Sequence, residues 1–116
     1  MTDLSDEEKS KAKSTYKEGF ALFVKGQLED AISRYRESID LDGTLSIAWN
    51  GLSMALAKQG NLAEAIAAAE KLVELEPDDP LSHTNLSRIL MQKGLIPEAE
   101  DAKAIAMGLQ MRSQDS

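Results

Sequence analysis

Three stretches, KGQLEDAI, QGNLAEAI and KGLIPEAE, say nearly the same thing at three places in a 116-residue chain. Gly26, Gly60 and Gly94 stand 34 residues apart, and three further series keep that step: Ala31, Ala65 and Ala99; Leu28, Leu62 and Ile96; Leu41, Leu75 and Leu109. Four series in phase at one period define a repeat. A unit of this length cannot bury its apolar face alone and must stack on its neighbours. The chain therefore reads as a single domain over residues 1–116, with repeats at about 12–45, 46–79 and 80–112. Residues 1–11 extend the first helix, and 113–116 read as a polar tail.

The residues between the repeated glycines have helical character. Aromatics make up only 4% of the chain, while Ala and Leu abound, which favours helices packed through small side chains over a sandwich or barrel. Ser5 followed by Glu8 forms a capping-box signature, so the first helix starts there and runs to about Val24, with Tyr16, Gly19, Phe20, Phe23 and Val24 at helical spacing. A second runs from about Leu28 to Leu41, with Ala31, Ile32, Tyr35 and Ile39 on one face. A third covers about Leu45 to Gln59, and a fourth about Leu62 to Leu75. The prolines of EPDDP stop the fourth. Asp79 caps a fifth helix, Pro80 suits its first turn, and it ends near Lys93. The sixth tolerates Pro97 near its start and runs to about Met111. Six helices in three antiparallel pairs, with no strands, make an all-α chain.

This pattern resembles the tetratricopeptide repeat (TPR) family, whose units are helix-turn-helix pairs of the same length. The middle repeat matches the family pattern at Trp49, Leu52, Leu56, Gly60, Ala65 and Pro77. The first matches at Gly19, Gly26, Ala31 and Tyr35, and the third at Leu86, Leu90, Gly94, Ala99 and Ala106. Glu18, Gly43 and Lys103 depart from it, as do Ser53 and Ser87, which replace the small Gly. The resemblance covers about residues 12–112 and implies a short right-handed α-solenoid whose first helices line a concave groove. The groove positions it implies are Lys13, Tyr16, Phe20 and Phe23; Ile47, Asn50, Met54 and Ala57; and Leu81, Thr84, Arg88 and Met91.

Catalytic chemistry is hard to find in this sequence. There is no Cys, so no thiolate nucleophile, disulfide or thiolate metal site is available. The lone His83 sits one repeat after Trp49, at a position that packs between helices. The acidic clusters DLSDEE and EPDDP lack calcium-loop spacing, and no phosphate-binding glycine loop appears. The reading is a non-enzyme without cofactor or metal. A formal charge of −7 disfavours nucleic acid and anionic membrane surfaces. No apolar run approaches a membrane span. The polar opening MTDLSDEE reads as a natural start with no signal peptide, and a cytoplasmic setting fits the missing cysteines.

The expected partner is a protein or peptide, and the expected role is a scaffold or co-chaperone-like adaptor. Asn50 offers a donor and an acceptor to a peptide backbone, and Arg88 suits a carboxylate. The carboxylate clamp that family co-chaperones use for heat-shock chaperone tails is absent: Tyr16, Phe20, Gly51, Leu81 and Asn85 stand at its positions. Two competing readings remain. Tyr16, Phe20 and Phe23 would simply complete the core of the first repeat, or Ile105, Met107, Leu109 and Met111 on the last helix would drive self-association into a homo-oligomer.

Overall fold

The computed structural model describes residues 5–115; expectations that fall on residues 1–4 and 116 lie outside the described residues. It holds α1 (Asp6–Val24), α2 (Leu28–Leu41), α3 (Ser46–Gln59), α4 (Leu62–Leu75), α5 (Pro80–Lys93) and α6 (Ile96–Asp115). No strand occurs among the described residues.

Local chemistry sets the boundaries. Ser5 Oγ accepts from the Glu8 N–H at 3.1 Å while the Glu8 carboxylate accepts from the Ser5 N–H at 3.3 Å, which closes the capping box. Asp79 Oδ1 accepts from the Leu81 N–H at 3.0 Å, with Pro80 directly behind it in the first turn. Each pair turns on a left-handed glycine: Gly26 at φ 79°, Gly60 at 93° and Gly94 at 89°. The residue after each glycine donates its N–H back to Leu22, Leu56 or Leu90, at 3.0, 2.9 and 2.9 Å. This 6→1 bond closes the helix end, and it needs a residue that tolerates positive φ.

The last helix runs past the expected end at Met111 to Asp115. Neither Gly nor Pro follows Met111 to break it, and Arg112 in the last turn complements the helix dipole. The polar tail over 113–116 is therefore helical as far as the described residues reach.

The turns between repeats are pinned by matched rings. Trp49 Nε1–H donates to the Gly43 carbonyl at 2.9 Å. One repeat later His83 Nε2 bonds the Pro77 carbonyl at 2.8 Å, so that nitrogen carries the proton. Ser82 Oγ adds bonds to Glu76 O and Asp79 O, both at 2.8 Å. His83 is buried within this turn.

The core follows the repeat. Ala31, Ala65 and Ala99 are all fully buried, and this allows the paired helices to approach closely. Ser38 Oγ bonds Ala12 O across the first pair at 2.7 Å, and Ser87 Oγ bonds Ala99 O across the third at 2.8 Å. Helices adjacent in sequence all pack together. In addition, α1 touches α3 and α3 touches α5, whereas the backbones of α2, α4 and α6 stay apart, α2 reaching α4 through the Arg36–Glu64 ion pair at 3.1 Å. The first helices form the inner layer and the second helices splay apart outside it, so the stack curves with α1, α3 and α5 on the concave side.

Candidate partner-binding groove

The concave side is where large apolar side chains reach solvent. Phe20 is 50% exposed, Ile47 46%, Met54 39%, Leu81 72% and Met91 42%. All five occupy the expected inner positions of α1, α3 and α5. Among the described residues, α2 and α4 expose no large hydrophobic side chain. Within the outer layer, α2 and α4 are finished for water, whereas the inner layer and α6 are not.

The remaining inner positions divide. Lys13, Thr84 and Arg88 are exposed, and Asn50 is half-buried. Ala57 is only 9% exposed and belongs to the core, because Gln92 of α5 reaches over it and donates to its carbonyl at 3.3 Å. Tyr16 and Phe23 are half-buried against the core while still bordering the groove. Rings run from interior to surface: Tyr35 to Tyr16 at 5.7 Å, then Tyr16 to Phe20 at 6.3 Å between centroids. Tyr16 and Phe23 thus complete the core of the first repeat in part, and Phe20 does not. Burial raises the Tyr16 phenol above its ordinary 10.0, which keeps it a neutral donor.

Three hollows indent this face, one of them, of about 300 Å³, lined by Thr84, Ser87, Arg88, Met91 and Lys103. A small one of about 50 Å³ is lined by Tyr16, Phe20, Phe23, Asn50, Gly51 and Met54, with Tyr35 at its floor. A larger one of about 280 Å³ lies between Ile47 and Leu81, bordered by Asn50, Glu76 and Asp79. Asn50 lines these last two, and its side-chain amide bonds no other described residue. A half-buried amide between two apolar hollows is suited to hold a peptide backbone.

Sequence reasoning missed two features here. Lys58 places its ammonium 5.5 Å from the centroid of the Phe23 ring, a cation on the groove wall. Asn85, at a groove-side position by the family pattern, is buried and donates to Ser53 Oγ at 2.8 Å. The lone basic residue of α3 was visible in the sequence as a signal for Lys58; nothing local announced the Asn85 contact.

The last helix carries a second apolar surface. Ile105 is 50% exposed, Met107 55% and Met111 63%. Leu109, expected beside them, is 8% exposed and packs inward, so it is not part of that surface.

An inner layer of three helices, an outer layer of three, and a wet apolar groove define a helical-repeat protein. The tetratricopeptide repeat family model matches residues 16–80 and 52–107, and the chain belongs to that family. No curated protein matches the chain. Among solved structures, MamA is similar at TM-score 0.86 and 23% identity, over 90% of this chain and 61% of that one. The Yersinia enterocolitica type III secretion chaperone SycD, in complex with a peptide of the translocator YopD, is similar at TM-score 0.82 and 23% identity, over 93% of this chain and 80% of that one. The first TPR of Spaghetti (RPAP3), bound to the HSP90 peptide SRMEEVD, gives TM-score 0.82 and 18% identity, over 86% and 79%. At these identities the likeness is one of fold. The chain spans 61% of the length of the MamA chain. No described helix is long and apolar enough to cross a membrane.

Proposed function

We propose that the chain is a protein-interaction module whose concave groove takes a peptide segment of a partner, in the manner of a scaffold or chaperone-like adaptor. The observation that carries this reading is that α1, α3 and α5 expose large apolar side chains at their inner positions while the helices packed behind them, α2 and α4, expose none; α6 carries a separate apolar surface. Phe20, Met54 and Met91 supply adaptable apolar contact, Asn50 a backbone anchor, and Lys13, Thr84 and Arg88 the polar border. Each aromatic or aliphatic side chain buried there contributes ~1.5–3 kcal/mol, which brings micromolar affinity, about −8.2 kcal/mol, within reach. Two similar folds hold peptides, SycD that of YopD and Spaghetti that of HSP90. The chaperone-tail clamp is not part of the proposal, because Tyr16, Phe20, Gly51 and Leu81 carry no charge and Asn85 is already bonded to Ser53.

In this reading the module is not an enzyme. That is supported by the commitment of the single imidazole, His83, to a structural bond with Pro77. A cytoplasmic site of action belongs to the proposal and rests on the cysteine-free sequence.

The test is a pull-down from the source lysate with wild type and a Phe20→Ala/Asn50→Ala/Arg88→Ala variant, both folded by circular dichroism. A protein retained by wild type and lost by the variant supports the groove. Equal capture by both contradicts it. The exposed Ile105, Met107 and Met111 favour a second reading, self-association through α6. Sedimentation that shows only monomer at high concentration sinks it.

A further inference from the structure

We infer that the groove is built for an acidic amphipathic segment, one that alternates carboxylates with bulky apolar side chains. This rests on the groove reading above and names the chemistry of the occupant.

The chain as a whole carries −7, yet its charge is sorted by layer. Beyond its acidic first turn, α1 carries Lys9, Lys11, Lys13 and Lys17 against Glu18 alone. The inner helices α3 and α5 contribute Lys58, Arg88 and Lys93 and no acid. Each of the outer helices α2, α4 and α6 has two more acids than bases.

The ion pairs sort the same way. Arg34, Arg36 and Lys71 are the only bases of α2 and α4, and each meets a carboxylate, at 2.6, 3.1 and 3.7 Å. Even Glu18 of α1 leans outward, 3.7 Å from Arg34. Lys13, Lys17, Lys58 and Arg88 join no ion pair among the described residues. The inner layer therefore holds its cations in reserve, whereas α2 and α4 have neutralised theirs; on α6, Lys103 and Arg112 also join no ion pair among the described residues, and Lys103 borders the hollow of Arg88 and Met91.

Fields from exposed charges fade within about 8 Å at physiological salt, so an approaching segment responds to the layer it touches rather than to the net charge. An acidic segment is repelled by the acid-rich, internally paired faces of α2 and α4 and attracted by the cations that border the groove. A basic segment is drawn to the wrong face and meets like charge beside Lys13, Lys58 and Arg88; the acids that border the groove, Glu76 and Asp79, are confined to the hollow between Ile47 and Leu81. Carboxylates alone would leave Phe20, Met54 and Met91 wet, so the segment needs apolar side chains between them.

The test is selection from a random-peptide display library, with peptides presented as internal fusions. Wild type is compared with Lys58→Glu/Arg88→Glu and the milder Lys58→Gln/Arg88→Gln, each checked by circular dichroism. The expected result is that wild type enriches acidic peptides rich in large apolar residues and that the glutamate variant inverts the selected charge. Selected peptides should bind the glutamine variant about tenfold more weakly, with less difference at high ionic strength. The glutamine variant carries the test alone if the glutamate variant does not fold. Enrichment of basic or uncharged peptides by wild type, or undiminished binding of acidic ones to the glutamine variant, overturns the inference while leaving the groove intact. A failure of wild type to enrich any peptide overturns the groove reading itself, and this inference with it.

Discussion

The two junctions between repeats occupy equivalent places and are filled in opposite ways. At the first, the Tyr35 side chain of α2 is 1% exposed and lies in a slot cleared by two glycines. A Cβ on Gly19 would come within 2.9 Å of its ring, and one on Gly51 within 2.7 Å. One repeat later the equivalents of Tyr35, Gly19 and Gly51 are Ala69, Ser53 and Asn85. The aromatic has shrunk to a methyl, and the facing helices have gained polar groups that bond each other at 2.8 Å. Ser53 also donates to Asn50 O at 2.8 Å, beneath the proposed peptide anchor. Bulk and hole trade places, and both junctions stay full. Close packing constrains the combination of three residues rather than any one of them.

The comparison breaks most readily at the ring. Tyr35→Ala leaves a cavity between two repeats and should cost about 3–5 kcal/mol, read from urea unfolding. Gly51→Ala puts its Cβ against that ring and should cost about 1–3 kcal/mol. In the Tyr35→Ala background most of this penalty should vanish, a coupling that a double-mutant cycle measures. Additive penalties would mean that the slot does not exist. Asn85→Ala at the second junction removes a buried bond and should cost about 1–2 kcal/mol, with no coupling to Tyr35.

The smallest effect concerns pH. Burial, with a lesser contribution from Tyr16, raises the Tyr35 phenol from 10.0 to about 12. The unfolded chain gives up this proton as pH passes 10.0, while the folded chain holds it to about 12. Stability therefore falls across that window and is unaffected below it. Tyr35→Phe should be nearly neutral at pH 7, since no hydrogen bond to the phenol is lost, and should lose less stability than wild type in alkali. Parallel declines in urea midpoint for the two proteins would contradict this.

What the sequence reveals follows from which interactions are local. The turn glycines were legible because a 6→1 closure with positive φ demands them, and the caps at Ser5 and Asp79 because their partners lie within three residues. Phe20, Ile47, Met54, Leu81 and Met91 were legible as inner positions through the family resemblance, which sets them at fixed offsets before the turn glycines. The end of α6 was not, since Arg112, Ser113 and Gln114 suit a helix and a tail equally well. Ala57 was placed in the groove but packs into the core cluster, where Gln92, 35 residues away, bonds its carbonyl, and the burial of Asn85 was not legible because its partner Ser53 lies 32 residues away. The layer-wise sorting of charge was visible all along, but it acquires meaning only once α1, α3 and α5 are known to face one groove.

The methionines allow the central claim to be read directly. Met54 and Met91 lie in the groove, and Met107 and Met111 lie on α6. Methyl-labelled methionine spectra, recorded while a captured partner segment is added, report on both surfaces at once. The account predicts that the Met54 and Met91 signals shift while Met107 and Met111 stay in place. Shifts confined to Met107 and Met111 would contradict it and move the binding site to the last helix.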